Sequence, residues 1–315
     1  MDLVHVLVAG VVMVTIGSML FEQVWVLELV GHFRIQLALG SLGLGFAEAV
    51  WGSGLSAGLA GVAVVLNLIP ILHFVVGEHR SAVSDRRTLF LFNVRMRNRR
   101  YSATIDHLRN RSPDLIALVE LDQAWVRALS DLDDLYPFHR FLPHPASYGL
   151  GILSRFPIVN GGPVRLASGE TPLLLVELEI GEKRATILVA HLPPPLDPTG
   201  MRLRNQQILE LSTLVSALGP NCIVAGDFNI TPWMKKFRML LRTAGLQDFR
   251  RAVGKLAPTW PAQAWPLRIP IDHVLGGSEV IFRAARLGVD LGSDHLPVIV
   301  EFSLFGTKPE DPLHV

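Results

Sequence analysis

The 315-residue sequence has a single cysteine, Cys222, and few charged residues. One thiol excludes an internal disulfide framework and a cysteine-rich zinc site. Because Cys222 lies in an apolar run, we expect a buried structural thiol. Lysine, arginine, aspartate and glutamate make up 18% of the chain, whereas soluble domains average about 25%. The net charge of +1 argues against a protein that binds polyanions through bulk charge.

Charge is scarcest in residues 1–77, where apolar residues dominate. This stretch predicts three transmembrane helices near residues 3–21, 36–51 and 54–76, since a span needs about 20 apolar residues. Residues 21–36 mix charged and aromatic side chains, which favours a short interfacial helix over an extension of the first span. A signal peptide is the competing interpretation, but no Lys or Arg precedes the first apolar run and a second apolar block follows.

Lysine and arginine are unevenly placed around these spans. The N-terminus and the second loop contain neither, whereas Arg34, Arg80, Arg86 and Arg87 lie on the opposite side. The positive-inside rule then places the C-terminal domain in the cytoplasm. We therefore divide the chain into a membrane region (1–77), a polar linker (78–87), a soluble domain (88–305) and a disordered tail (306–315).

The soluble part contains both strands and helices, but they do not alternate strictly. An antiparallel pair is predicted over 173–180 and 185–189, next to segments that form crossovers. This favours an α/β fold, a layered α/β sandwich of two mainly antiparallel sheets flanked by helices, over a doubly wound parallel sheet. The predicted transmembrane helical region precedes it.

Several apolar strands end in one polar residue that is capable of chemistry. These residues are Asn93, Glu120, His191, Asp227 with Asn229, Asp272, and Asp294 with His295. In a continued strand Asp227 and Asn229 would face the same side, and an Asx turn is the alternative. Asparagine and carboxylate oxygens suit Mg²⁺ or Mn²⁺ better than Zn²⁺, and histidines beside carboxylates suit proton transfer. Hydrolysis of a phosphate ester needs both a metal ion that stabilises charge on the phosphoryl oxygens and a group that takes a proton from the attacking water.

These motifs, in this order, resemble the endonuclease/exonuclease/phosphatase superfamily with its deoxyribonuclease I-like fold, over about residues 88–303. The resemblance rests on Asn93, Glu120, Tyr148-Gly149, Leu153-Ser154-Arg155-Phe156-Pro157, Ala190-His191-Leu192, Gly226-Asp227-Phe228-Asn229, Ile271-Asp272-His273 and Ser293-Asp294-His295. The run 229–233 and the apolar N-terminal block resemble the membrane-attached bacterial branch. That likeness implies an integral protein of the bacterial inner membrane, with a substrate that is poorly defined.

The resemblance also implies residue roles. Asn93 and Glu120 would bind a catalytic Mg²⁺ or Mn²⁺ ion, and Asp294 would complete or relay its ligand shell. Of the catalytic residues, Asp227 would orient or deprotonate the attacking water, and Asn229 and His191 would hold phosphate oxygens. His191 would also help to protonate the leaving group, and Tyr148 would hydrogen-bond the phosphate or the leaving group. Asp272 would pair with His295, which would contact the scissile phosphate.

Several of these residues have local alternatives. Tyr148 can be a core aromatic residue, and we expect His273 to be structural, whereas Asp122 can support Glu120. Residues 229–231 match a glycosylation acceptor, which conflicts with their place at a catalytic strand end. The arginines at 95, 97, 99 and 100 can clamp a polyanionic backbone or form a solvated loop near lipid headgroups.

The sequence as a whole predicts a membrane-anchored, divalent-metal-dependent hydrolase of phosphate esters, of the phosphodiesterase, nuclease or phosphatase type. Its expected partners are the lipid bilayer and a phosphate-ester substrate, either nucleic acid or a lipid-linked phosphate, and no protein partner is indicated. The alternative is a non-catalytic membrane scaffold that retains the fold.

Overall fold

The computed structural model describes residues 3–77, 86–169 and 171–305. Four helices form the N-terminal region: α1 (Leu3–Leu20), α2 (Trp25–Gly31), α3 (Arg34–Trp51) and α4 (Gly54–Val75). Helices α1, α3 and α4 pack against one another. By length and composition α1 and α4 can cross a membrane, whereas α3, which carries Arg34 and Glu48, does not meet the same test. The structure thus supports two of the three predicted spans at this level.

The two apolar helices are poorly covered by protein. Only 17% of α1 and 28% of α4 are buried. A core helix of a soluble domain would be mostly buried, so the exposed apolar side chains favour contact with lipid. A signal sequence also passes the length-and-composition test, and membrane crossing therefore stays a prediction.

The remainder of the chain forms two six-stranded sheets. The strands are β1 (Arg87–Asn93), β2 (Leu115–Val119), β3 (Phe138–Leu142), β4 (Leu150–Ser154), β5 (Ile158–Arg165), β6 (Pro172–Ile180), β7 (Lys183–His191), β8 (Cys222–Asp227), β9 (Gln247–Asp248), β10 (Asp272–Gly276), β11 (Val280–Leu287) and β12 (Val298–Leu304). The first sheet has the order β11-β12-β1-β2-β4-β3 and the second the order β5-β6-β7-β8-β10-β9. Among the described strands, β1–β2 and β7–β8 pair in parallel and the other pairings are antiparallel, so both sheets are mixed.

Alternate residues of the central strands build a core between the sheets. Leu89 and Leu91 of β1 face Ile223 and Ala225 of β8 in one apolar cluster, which is the period-two pattern of a sandwich. The outer faces are covered by α5 (Tyr101–Arg111), α6 (Gln123–Leu129), α7 (Pro198–Ser216) and α8 (Lys235–Thr243), whereas α9 (Phe249–Val253) packs Phe249 into the core between the sheets. Cys222 is buried, as expected, and burial raises the pKa of its thiol.

Four strands were not predicted: β3, β5, β11 and β9, which has only two residues. β5 contains Gly161, Gly162 and Pro163, which indicate a loop, but β5 is an edge strand and tolerates them. The side chains of β3 are only partly buried, and β11 buries Val280, Phe282 and Ala285 but interrupts its apolar pattern with two arginines. Strand β1 begins at Arg87, the last residue of the predicted linker. Residues 78–85 of that linker and the predicted tail (306–315) lie outside the described residues.

Helix α2 differs from the interfacial helix that the sequence predicted, because one of its faces is buried against the soluble domain. Trp25 donates from Nε1 to the carbonyl of Pro195 at 2.8 Å, and the indole of Trp233 donates to the carbonyl of Gly31 at 2.9 Å. Phe74, near the end of α4, joins the apolar cluster under α7 and α8. The N-terminal helices and the sheets therefore share one packed interior.

Candidate active site

Strand register brings three of the candidate residues into one row. His191 of β7 lies opposite Asp227 of β8, and Asp227 lies opposite Asp272 of β10. All three are buried. The other sheet contributes Asn93 at the end of β1 and Glu120 just after β2. The strand ends that the sequence marked as polar therefore converge on one edge of the sandwich.

Gly226 allows β7 and β8 to approach at this edge. Its φ is 154°, and a Cβ on it would lie 1.8 Å from the carbonyl oxygen of Ala190. Every other residue type carries that Cβ, so glycine is required here. The close approach places His191 directly beside Asp227.

The strand does not continue through Asn229, so of the two alternatives the Asx turn is the one that forms. β8 ends at Asp227, whose Oδ1 accepts a hydrogen bond of 2.9 Å from the backbone N–H of Asn229. This Asx turn competes with strand extension and holds Asn229 at a φ of 50°. The Asn229 amide donates to the carbonyl of Leu192 at 2.9 Å, and its Nδ2 lies 3.5 Å from Nε2 of His191. The side chain thus still reaches the site.

Asp272 and His295 form a buried ion pair. Nδ1 of His295 donates to Oδ2 of Asp272 at 2.8 Å, and Nε2 lies 3.5 Å from Oδ2 of Asp227. Burial alone would lower the pKa of His295, but Asp272 and Asp227 outweigh it and raise the pKa to about 10. The imidazole is therefore a cation at neutral pH.

Asp227 has an unusually basic carboxylate. Burial, together with the charge of Asp272, raises its pKa to about 6, although His295 and His191 oppose the increase. A carboxylate with this pKa is ionised at neutral pH and accepts a proton more readily than an exposed aspartate. Asp227 is thus suited to act as a general base.

His191 is held in one tautomer by a backbone carbonyl. Its Nδ1 lies 2.6 Å from the carbonyl oxygen of Ser147, so Nδ1 carries the proton, and Nε2 faces the site 3.7 Å from Asp227. The Tyr148 ring is centred 5.5 Å from the imidazole. Burial and the nearby Glu120 raise the pKa of Tyr148, which keeps its hydroxyl protonated.

Asn93 connects the two sheets across the site. Its Nδ2 donates to Glu120 at 3.0 Å and to Asp227 at 3.1 Å. Glu120 also accepts from the backbone N–H of Met96 at 3.2 Å and adopts a φ of 64°. A non-glycine residue in this conformation is strained, and such strain concentrates at functional sites.

Two sets of side chains can hold a divalent cation. Asp227, Asp272 and His295 form a buried group whose ligand atoms lie within 4.8 Å of one another, but His295 must first lose its proton to be a ligand. Glu120 offers the hard carboxylate oxygens that Mg²⁺ and Mn²⁺ prefer, whereas the Oδ1 of Asn93 accepts from the backbone N–H of Arg95 at 2.9 Å and would have to turn toward the ion to be a ligand. Asp272 also has a buried Oδ1 without a hydrogen-bond partner. The donor set therefore fits a hard divalent ion.

Residues 90–295 match the Endonuclease/Exonuclease/phosphatase family. The chain belongs to this family. It is accordingly a hydrolase that acts on phosphoester bonds. The comparison with curated proteins found no match.

Solved structures show the same fold at low identity. D. rerio TDP2 complexed with a single-strand DNA product is 17% identical, with a TM-score of 0.60 over 70% of this chain and 100% of that one. The human Nocturnin catalytic domain with bound sulfate is 20% identical, with a TM-score of 0.58 over 70% and 94%. An endonuclease/exonuclease/phosphatase from Beutenbergia cavernae is 21% identical, with a TM-score of 0.57 over 72% and 73%. None of these matches supports the membrane-attached bacterial branch, which stays a prediction.

Not every residue predicted from the family pattern lies in the same cluster. Asp294 lines the cleft, but its side chain is 33% exposed and lies 3.7 Å from Nε of Arg95. Asp122 caps α6 and pairs with Arg99 at 2.8 Å, so it does not support Glu120. His273 is structural, as expected: Nε2 contacts the carbonyl of Ile230 at 2.7 Å, and burial holds its pKa well below the usual value.

A cleft of about 600 Å³ opens onto these family residues. Besides them it is lined by a set that sequence reasoning missed, drawn from α2 and three loops: Leu29, His32, Phe33, Pro194, Pro195, Leu196, Trp260, Ile269 and Ile271. Most are apolar and come from distant parts of the chain. No local sequence pattern marks them, because only the tertiary fold brings them together.

Proposed function

We propose that this protein is a membrane-anchored, divalent-metal-dependent phosphoesterase in which Asp227 activates the attacking water. The observation that carries the proposal is the position of Asp227. It is a buried carboxylate with a pKa raised to about 6, flanked by His191 and His295. A base beside a cationic imidazole, that of His295, is an arrangement that suits hydrolysis of an ester.

The reaction transfers the phosphoryl group to water. The water oxygen forms a bond to phosphorus while the ester P–O bond breaks, and one water proton passes to Asp227. The leaving oxygen takes up a proton. In this proposal the cationic His295 supplies it, whereas His191, whose single proton lies on Nδ1 toward Ser147, could do so only after its Nε2 had also taken up a proton.

Phosphate oxygens are held by the groups around Asp227. The cationic His295 and the Asn229 amide stabilise the negative charge that develops in the transition state. Asp272 keeps His295 charged and oriented through their 2.8 Å hydrogen bond. The protonated Tyr148 hydroxyl donates to the phosphate or the leaving group.

Asn93 and Glu120 would hold the Mg²⁺ or Mn²⁺ ion, with Asp294 near enough to the cleft to complete or relay its shell. A bound divalent ion neutralises phosphoryl charge and stabilises the departing oxygen. Oxygen donors without cysteine match this choice of metal.

Membrane attachment is supported by the charge around the exit of the apolar helices. Helix α8 carries Lys235, Lys236 and Arg242 beside the end of α1, and Lys235 Nζ donates to the carbonyl of Met19 at 2.7 Å. Basic residues next to a span favour the cytoplasmic leaflet and its anionic lipids. We therefore propose an integral membrane protein with a cytoplasmic catalytic domain.

The catalytic proposal is tested with Asp227→Asn in the full-length protein. We expect hydrolysis of a generic phosphodiester with Mg²⁺ to fall about 10²–10⁴-fold, and EDTA to abolish it in the wild type. Asp106→Asn, an exposed carboxylate on α5, should leave the rate unchanged. Undiminished activity of Asp227→Asn would refute the proposed base, and an inactive wild type would favour the scaffold.

Membrane attachment is tested separately. The protein should remain in the membrane fraction after an alkaline carbonate wash, and protease added to sealed spheroplasts should leave the catalytic domain intact. Release by carbonate would contradict integral insertion. Digestion from outside would reverse the orientation.

A further inference from the structure

One wall of the catalytic cleft is apolar. It is formed by a set of residues from four separate segments: Leu29, Phe33, Pro195, Leu196, Trp260 and Ile269. The same cleft is also lined by the carboxylates and histidines of the site. A cleft with an apolar wall and a few convergent polar groups is built for a ligand that has one polar end and one apolar end.

This wall lies where the chain leaves the predicted membrane span. Leu29 belongs to α2 and Phe33 precedes α3, and the α2–α3 segment follows the apolar helix α1 directly. The loop that carries Pro195 and Leu196 is fixed to α2, because the indole of Trp25 donates to the carbonyl of Pro195 at 2.8 Å. The apolar wall is therefore built in part from the segment that directly follows the predicted span α1.

Exposed apolar side chains extend the wall outward. Leu196 is 78% exposed, and Trp265 and Leu267 on a neighbouring short 3₁₀ helix are 75% and 51% exposed. Gln36 of α3 donates to the carbonyl of Pro266 at 2.9 Å and holds that helix beside the N-terminal region. An exposed rim of this kind is typical of contact with a membrane or an apolar ligand.

The charge of the cleft does not suit a polynucleotide. Among the described residues that line it there is neither lysine nor arginine. Two of the nearby arginines are already paired, Arg95 with Asp294 and Arg99 with Asp122. Proteins that track a nucleic-acid backbone do so with a continuous basic groove.

We propose that the substrate is an amphiphilic phosphate ester whose hydrocarbon chain lies along this apolar wall while its phosphate meets Asp227 and His295. The inference rests on the proposed phosphoesterase function and names its substrate class. Hydrolysis breaks the P–O ester bond, water supplies the new oxygen on phosphorus, and the chain remains on one of the two products.

The proposal predicts that reactivity depends on chain length. Burial of each methylene contributes about 0.8 kcal/mol, which corresponds to roughly a fourfold change in kcat/KM. We expect this increase for each added methylene of a para-nitrophenyl alkyl phosphodiester, from methyl upward, until the wall is covered. The assay uses full-length protein with Mg²⁺ and esters below their critical micelle concentration.

Variants of the wall test its part in this dependence. Leu29→Ser and Leu196→Ser replace side chains that are 36% and 78% exposed, so both proteins should fold. Each should reduce the gain in kcat/KM per methylene. Val159→Ser, at a 44% exposed position on edge strand β5, is the matched control and should keep the wild-type chain-length dependence.

A second experiment distinguishes a substrate that lies in a bilayer from one that is dissolved in water. Hydrolysis of phosphatidylglycerol in phosphatidylcholine vesicles indicates a bilayer lipid, whereas hydrolysis of the dispersed long-chain ester alone indicates a soluble amphiphile. Equal kcat/KM for methyl and long-chain esters, or a higher value for a single-stranded oligonucleotide, would overturn the inference and leave the phosphoesterase function standing. An absence of Mg²⁺-dependent hydrolysis of every ester would overturn both.

Discussion

Arg204 on α7 donates a hydrogen bond of 2.7 Å from Nη1 to the backbone carbonyl of Asn229. The guanidinium is fully buried, and its Nη2 pairs with Glu28 of α2. One side chain therefore joins the N-terminal region to the turn that carries Asn229. The contact between His32 Nδ1 and Thr231 Oγ1, at 3.0 Å, supports the same turn from α2.

Glu28→Ala should destabilise the protein and impair catalysis. The change leaves a buried arginine without its counter-charge, which typically costs about 3–5 kcal/mol in the free energy of unfolding. Displacement of the Asn229 turn should lower kcat by about 10–100-fold. Denaturant unfolding in detergent micelles and steady-state kinetics measure the two effects. Arg184→Ala, which removes an exposed pair with Glu179, is the control and should change the free energy by less than about 1 kcal/mol.

The catalytic edge of the fold could be predicted from sequence because its signal is local. Asp227 and His191 each end an apolar strand, whereas Asp272 begins one, and the parallel β7–β8 and antiparallel β8–β10 registers bring the three together. The turn at Asn229 could not be predicted, because strand extension and an Asx turn fit the same residues. The tertiary structure is needed to show that the Asx turn is present and the strand extension is not.

The role of α2 could not be predicted for a different reason. Glu28 resembles a surface residue of an amphipathic helix, and its partner Arg204 lies 176 residues further along the chain. The apolar wall of Leu29, Phe33 and Trp260 likewise has no local pattern. Contacts between distant segments decide whether such residues face lipid, solvent or substrate.

Asp272→Asn should shift the pH dependence of catalysis. In the wild type the pKa of His295 is raised to about 10 by Asp272 and Asp227, so kcat/KM should stay high until the pH approaches that value. Removal of one negative charge lowers the imidazolium pKa, by about 1–3 units for a close pair. The alkaline limb of the rate profile should therefore move to lower pH. An unmoved limb would show that another group titrates there.

The same proton links stability to pH. His295 has an ordinary pKa of 6.5 and a folded pKa of about 10, so the folded protein binds this proton more tightly than the unfolded chain. Its contribution to the free energy of unfolding is complete below about pH 6.5 and is lost as the pH rises through about 10. Denaturant unfolding between these pH values should show a smaller loss in Asp272→Asn than in the wild type.

Glu120→Gln should weaken the response to Mg²⁺. The amide keeps the size of the side chain but removes the charge that would hold the ion, so the Mg²⁺ concentration for half-maximal activity should rise at least about tenfold. Titration of EDTA-treated protein with Mg²⁺ measures it, and high Mg²⁺ should restore much of the rate. If Asp272→Asn raises the requirement and Glu120→Gln does not, the ion is held by Asp227, Asp272 and His295 instead.

Gly226→Ala should abolish the site through the backbone. The new Cβ would lie 1.8 Å from the carbonyl oxygen of Ala190, in a strand where that carbonyl cannot move without breaking the β7–β8 pairing. The φ of 154° adds strain for any residue with a Cβ. We expect a loss of about 3 kcal/mol or more in the free energy of unfolding, together with loss of activity.

Gly181→Ala is the control, because Gly181 also has a positive φ but lies in the exposed β6–β7 turn with open space around its Cβ. This variant tests the backbone strain without the clash and should lower the free energy of unfolding far less. Similar losses in the two variants would assign the effect to backbone conformation alone and remove the close approach of β7 and β8 as the reason for glycine before Asp227.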